Sequence, residues 1–284
     1  MKTIKKTLLA AALVMGSLPA FATTVGGINV GNAGTPHFEA AEVYEQVIGT
    51  YTTSPGANNV GSGFVPGFGT GAELAGYGRV NSINGDLNFC SGGPGTCELT
   101  FRFYGYTAKP GGTATNIDFT SGFVDFYVGT GASLDFNAFT AGTESNLLTQ
   151  ATNGTLWLRL AGSNFLDLLT GRTGTLQAKG VNFGTGTADA GTGIGQLNII
   201  GGLADVIAAL NTNSVTNNLG CTLGVNCSDF DLTTSFSIVG ATTALPVSGV
   251  ASIAGRVVPE PASLSLMALG LLGLGAASRR RAKK

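Results

Sequence analysis

One imidazole, four thiols and sixteen carboxylates are the groups from which any acid, base, nucleophile or metal site in this 284-residue chain must be drawn. His37 lies between Pro36 and Phe38. A Ser-His-Asp relay would have to use it, yet no G-x-S-x-G nucleophile elbow occurs, so a surface or packing role is the plainer reading. Asp229 and Asp231 alternate along an apolar run, which on a strand sets them roughly 7 Å apart on one face. That suits a glycosidase pair, or with Asn226 a calcium site, but a solvated edge is the simpler expectation because no calcium-loop pattern surrounds them. The four cysteines form two local pairs, Cys90 with Cys97 and Cys221 with Cys227. In an oxidising compartment each pair closes a small ring, although four cysteines allow three connectivities and a zinc site is the rival. A sugar platform needs planar rings on a solvent face, for which Trp157, Tyr104, Tyr106 and Tyr127 are the candidates. No residue is assigned a catalytic or metal-binding role, and no cofactor is expected.

The elements that would position these groups read as strands. Leu99, Phe101 and Phe103 alternate with Thr100, Arg102 and Tyr104, and Leu156, Leu158 and Leu160 alternate with Trp157 and Arg159. The cleanest case sets Phe230, Leu232, Thr234, Phe236 and Ile238 against Asp229, Asp231, Thr233, Ser235 and Ser237. Period two means one face buried and one wet. Residues 123–128, 175–183, 197–200 and 247–253 are weaker strand candidates, separated by Gly-, Thr- and Asn-rich turns. Leu203, Val206, Ile207 and Leu210 fall at helical spacing after Gly201-Gly202, which predicts one short amphipathic helix. Residues 38–48 fit either a helix or a strand. The predicted class is all-β, a β-sandwich with a jelly roll as one form.

Composition narrows the functions available. Charged residues make up 11% of the chain, where about 25% is ordinary, so small polar side chains cover the surface. Lys2, Lys5 and Lys6 precede an apolar run over residues 8–18, and Ala20-Phe21-Ala22 supplies the small-x-small pattern of signal-peptidase substrates. The expected signal peptide is 1–22, cut after Ala22. Residues 23–258 then form the exported body, with seven basic and fifteen acidic residues and a net charge of −8. Nucleic-acid phosphates would repel such a body.

Residues 259–284 have three parts in fixed order: Pro259-Glu260-Pro261, an uncharged Leu-rich stretch over 262–277, and the basic tail with Arg279, Arg280, Arg281, Lys283 and Lys284. The prolines keep the backbone extended before the helix. Sixteen uncharged residues give about 24 Å of helix, just enough to span a membrane with help from its flanks, and the basic tail holds the far end cytoplasmic. An ordinary single-pass anchor with a stop-transfer tail has the same outline. The set resembles the PEP-CTERM sorting signal of exported bacterial proteins. That resemblance implies processing by an exosortase, a membrane-embedded transpeptidase, near the Pro-Glu-Pro motif, and a fate at the cell surface or in the extracellular matrix. The expected role is a structural or adhesive surface component associated with biofilm exopolysaccharide, and the alternative is an exported carbohydrate-binding module or carbohydrate-active enzyme.

Overall fold

The computed structural model describes residues 22–32, 35–48, 73–110, 112–113, 115–137, 144–181, 190–238 and 247–258. Ala20 and the sorting segment 259–284 lie outside the described residues. A short hairpin, β1 (Ala22–Val25) and β2 (Ile28–Asn32), is followed by β3 (His37–Ile48), β4 (Glu73–Arg79), the two-residue β5 (Ser82–Ile83), β6 (Glu98–Ala108) and β7 (Asn116–Gly129). Helix α1 (Glu144–Thr152) leads to β8 (Thr155–Gly162), and a small excursion, β9 (Phe165–Leu166) and β10 (Thr173–Gly174), returns the chain to β11 (Leu176–Val181). Then come β12 (Ala190–Gly202), α2 (Ala204–Leu210), β13 (Phe230–Ile238) and β14 (Val247–Ala254).

The strand pairings close on themselves. Going round, β3 pairs β4, β4 pairs β6 and β6 pairs β7. β12 pairs β13, β13 pairs β14 and β14 pairs β3, all antiparallel. The lane between β7 and β12 is shared end to end. β8 lies against Phe123–Val128 and Leu197–Gly202, and β11 continues the lane against Asn116–Phe119 and Ala190–Gly195. The result is an eight-lane up-and-down antiparallel barrel in sequence order, so the expected sandwich of two facing sheets is corrected. Closure removes the free edges that an open sheet would present. Residues 37–48, ambiguous by spacing, are a strand because this lane must bridge β14 and β4.

Apolar side chains point inward and polar ones outward, the reverse of a barrel that faces lipid. The two-residue period shifts phase once, at the same level on β6 and β7. Leu99, Phe101 and Phe103 face in from odd positions, whereas Tyr106 and Ala108 face in from even ones; Ile117 and Phe119 give way likewise to Val124 and Phe126. The switch is made by Gly105, Ser121 and Gly122, all with positive φ. A Cβ on Gly122 would overlap the Tyr106 ring, so only glycine fits there.

One end of the barrel is plugged. The β1–β2 hairpin inserts Val25, Ile28 and Val30, and α2 adds Val206 and Leu210, all buried in one continuous core with Trp157 and Phe230. Trp157 donates its indole N–H to the Val25 carbonyl at 3.2 Å, and Asp205 accepts the Gly26 amide at 2.8 Å. The helix expected over 203–210 is therefore real, with Leu203 at its N-cap, and it covers an end of the barrel. α1 was not foreseen. It packs outside the barrel in a second small cluster of Tyr77, Phe136, Leu147 and Ala151. Among the described residues no helix is long and apolar enough to cross a membrane.

Candidate functional site

The residues singled out in the sequence separate into buried structural groups and one outward-facing cluster. Asp229 does not share a wet face with Asp231. It precedes β13, is 2% exposed, and accepts three backbone amides, from Ile199, Thr212 and Asn213, each at 2.8 Å. Extending the alternation one residue before the strand placed it wrongly: it clamps the segment after α2 onto β12. Asp231 accepts from Gln196 at 3.2 Å on the outside. The two carboxylates therefore form neither a glycosidase pair nor, with Asn226, a calcium loop. Among the described residues no group of three or more His, Cys, Asp or Glu side chains could hold a metal ion.

The four cysteines form the two local disulfides, Cys90–Cys97 and Cys221–Cys227. The first rings a turn that bridges to the β1–β2 hairpin through Ile28 and Cys90, and the second rings the connection from α2 to β13. Both brace the plugged end.

His37 has company that the sequence did not suggest. Its Nε2 meets the hydroxyl of Ser252 on the adjacent strand, its Nδ1 lies 3.5 Å from Glu39, and Glu39 accepts from Ser82. Nucleophile, base and carboxylate thus stand in the order of a relay. However, Ser252 sits inside β14, flanked by β13 and β3, so the neighbouring backbone amides are committed to the two ladders and cannot receive an oxyanion. With Ser82 as a fourth member, the group ties β3, β5 and β14 together.

Of the four aromatic candidates, Trp157 and Tyr106 are buried in the core and cannot contact a polymer. Tyr104 on β6 and Tyr127 on β7 are half-exposed on the outer surface. Between them stands the buried carboxylate of Asp125, held by Arg159 through two hydrogen bonds of 2.7 Å and reached by both phenols at 3.4 Å. Phe123 stacks on Tyr104 with centroids 5.4 Å apart, and the Arg102 guanidinium lies 4.5 Å from the Tyr104 centroid. Register places these groups side by side, since Arg102 pairs Asp125, Asp125 pairs Arg159 and Tyr104 pairs Phe123.

Partial burial, then the Asp125 charge, holds both phenols above the usual tyrosine range. Hydrogen bonding to Asp125 keeps Arg159 charged. The result is a rigid, half-exposed patch of rings and guanidinium groups with its donors fixed in place. The Asp125–Arg159 pair was not anticipated, although both residues interrupt apolar alternation at outward positions, which is the signal that would have found them.

The last described residues rest on the plug. Val257 is buried, and Val258 donates its amide to the Ala209 carbonyl at 2.8 Å. Starting from these two valines, residues 257–281 match the family model of the PEP-CTERM protein-sorting motif. That motif indicates an exported, cell-surface-directed protein sorted by an exosortase. No curated protein and no solved structure matches the chain.

Proposed function

We propose that the mature chain is a surface or matrix adhesin that holds exopolysaccharide without turning it over, gripping the polymer on the outward face of β6, β7 and β8. A signal peptidase removes residues 1–22, residues 23–258 fold outside the inner membrane, and the exosortase acts on the segment that follows. The observation that carries the adhesive reading is the patch of Tyr104, Tyr127 and Phe123 flanked by Arg102 and Arg159. Aromatic faces accept the C–H faces of sugar rings, and the planar guanidinium of Arg102 supplies fixed donors to hydroxyl or carboxylate oxygens. Asp125 is engaged by Arg159, which leaves the Arg102 guanidinium to meet an acidic polymer on this face of a body whose net charge is −8.

The alternative of a carbohydrate-active enzyme lacks support, because the carboxylate nominated for it, Asp229, is spent on three backbone amides. The test is affinity electrophoresis of the exported protein through gels containing the producing bacterium's matrix polysaccharide. Tyr104→Ala and Tyr127→Ala should each weaken retardation about three- to tenfold, in line with roughly 0.5–1.5 kcal/mol for an aromatic contact. Undiminished retardation in both variants would move the binding surface elsewhere, and release of oligosaccharides by the wild type would replace adhesion with hydrolysis.

A further inference from the structure

We infer that the barrel interior is a binding site for a compact, mostly apolar molecule that carries a single hydrogen-bonding oxygen, received by the Tyr106 hydroxyl. Eight-lane barrels have an interior that side chains either fill or leave open for one small ligand. Here they leave a cavity of about 90 Å³, lined by Phe103, Tyr106, Phe119, Val124, Leu176 and Leu232 among others. The lining is almost wholly apolar. Within it Tyr106 is 1% exposed, and among the described residues its buried phenolic oxygen has no hydrogen-bond partner. Leaving such a group unsatisfied is expensive, and native interiors rarely do so without a reason.

Water is a poor solution. A buried water needs two to four polar partners, and Tyr106 offers one. The other polar liner, Thr234, already donates its hydroxyl to the Val250 carbonyl at 3.1 Å. A molecule with one oxygen and an apolar remainder satisfies the phenol and fills the space together. The ring is also held for this purpose: it rests on Gly122, where the phase switch of β6 and β7 turns Tyr106 inward in place of the small Gly105. The volume sets the size. It is about three-fifths of the roughly 150 Å³ that admits benzene, so a molecule of about two carbons fits and a ring does not.

The experiment is a ¹⁹F NMR titration of the exported, disulfide-bonded protein with 2,2,2-trifluoroethanol and with 1,1,1-trifluoroethane. The wild type should bind both saturably and prefer the alcohol. In Tyr106→Phe, which keeps the ring and removes only the oxygen, the preference for alcohol over alkane should fall about five- to tenfold, the equivalent of one buried hydrogen bond. In Ala178→Leu, which fills the cavity from β11 and leaves Tyr106 in place, both probes should lose binding. Absence of saturable binding to the wild type would overturn the site. An unchanged preference in Tyr106→Phe would overturn the role of the hydroxyl, and undiminished binding to folded Ala178→Leu would put the probes outside the barrel.

Discussion

Replacing Asp229 with alanine should cost this protein stability without touching any binding surface. The carboxylate receives the amides of Ile199, Thr212 and Asn213, each at 2.8 Å. The Ile199 bond is buried, so its donor would be stranded without water, at about 2–3 kcal/mol. The Thr212 and Asn213 donors are part-buried and regain some solvent, so about 1 kcal/mol each is reasonable. The sum, about 4–5 kcal/mol, is at the upper end for a single substitution. With a urea slope of about 3 kcal/mol per molar for a body of this size, the unfolding midpoint should drop by roughly 1.5 M. Asp229→Asn keeps one carbonyl oxygen for the Thr212 and Asn213 amides but sets a donor against Ile199, so its shift should fall between wild type and Ala. Urea titrations followed by Trp157 fluorescence measure all three proteins. A midpoint for Asp229→Ala within 0.3 M of wild type, about 1 kcal/mol on the same slope, would mean the clamp is not structural. Unchanged stability with lost polysaccharide binding would return Asp229 to a functional role.

Replacing Pro259-Glu260-Pro261 with alanines should leave an unprocessed, membrane-retained chain, and an unchanged mature mass would remove the motif from the sorting reaction. Reducing either disulfide should lower stability by about 2 kcal/mol, the value for rings of this size, read as a urea-midpoint shift in the Cys→Ser pairs. Tyr104, Tyr106 and Tyr127 are all held above the ordinary phenol range, chiefly by burial. Because folding favours their protonated forms, that contribution is whole below about pH 10 and is lost as pH rises through their folded values. Ultraviolet titration should show at least three late phenols that shift into the ordinary range after denaturation; six ordinary phenols in the native protein would refute the assignment.

What the sequence made legible was local. Alternation in residues 98–104 and 230–238 located β6 and β13, helical spacing located α2, and proximity paired the cysteines. What it left hidden was decided by distant partners. Barrel closure rests on β14 meeting β3, a pairing of Ala254 with His37 across most of the chain, which no local period encodes. The phase switch at Gly105 and Gly122 broke the period on which the reading relied, which left inward Tyr106 looking like any other exposed candidate. α1 carries too little amphipathic signal to stand out; Leu147 and Ala151 acquire a buried face only because Tyr77 and Phe136 wait on the barrel's outer wall. Asp125 and Arg159 were visible as residues, but their pairing needed the register of β7 against β8.

The attachment of Val257 and Val258 to the plug leaves no slack between the folded body and Pro259. An enzyme cutting close to the Pro-Glu-Pro motif must work flush against a finished domain, or wait for its last residues to peel away from α2. Peeling breaks the bond to Ala209 and exposes Val257, together about 2–3 kcal/mol. At equilibrium that frees the strip in roughly one molecule in thirty to one in a hundred and fifty. Maturation would then be throttled by how often the base of the barrel frays, so the stability of that end would set the tempo of processing.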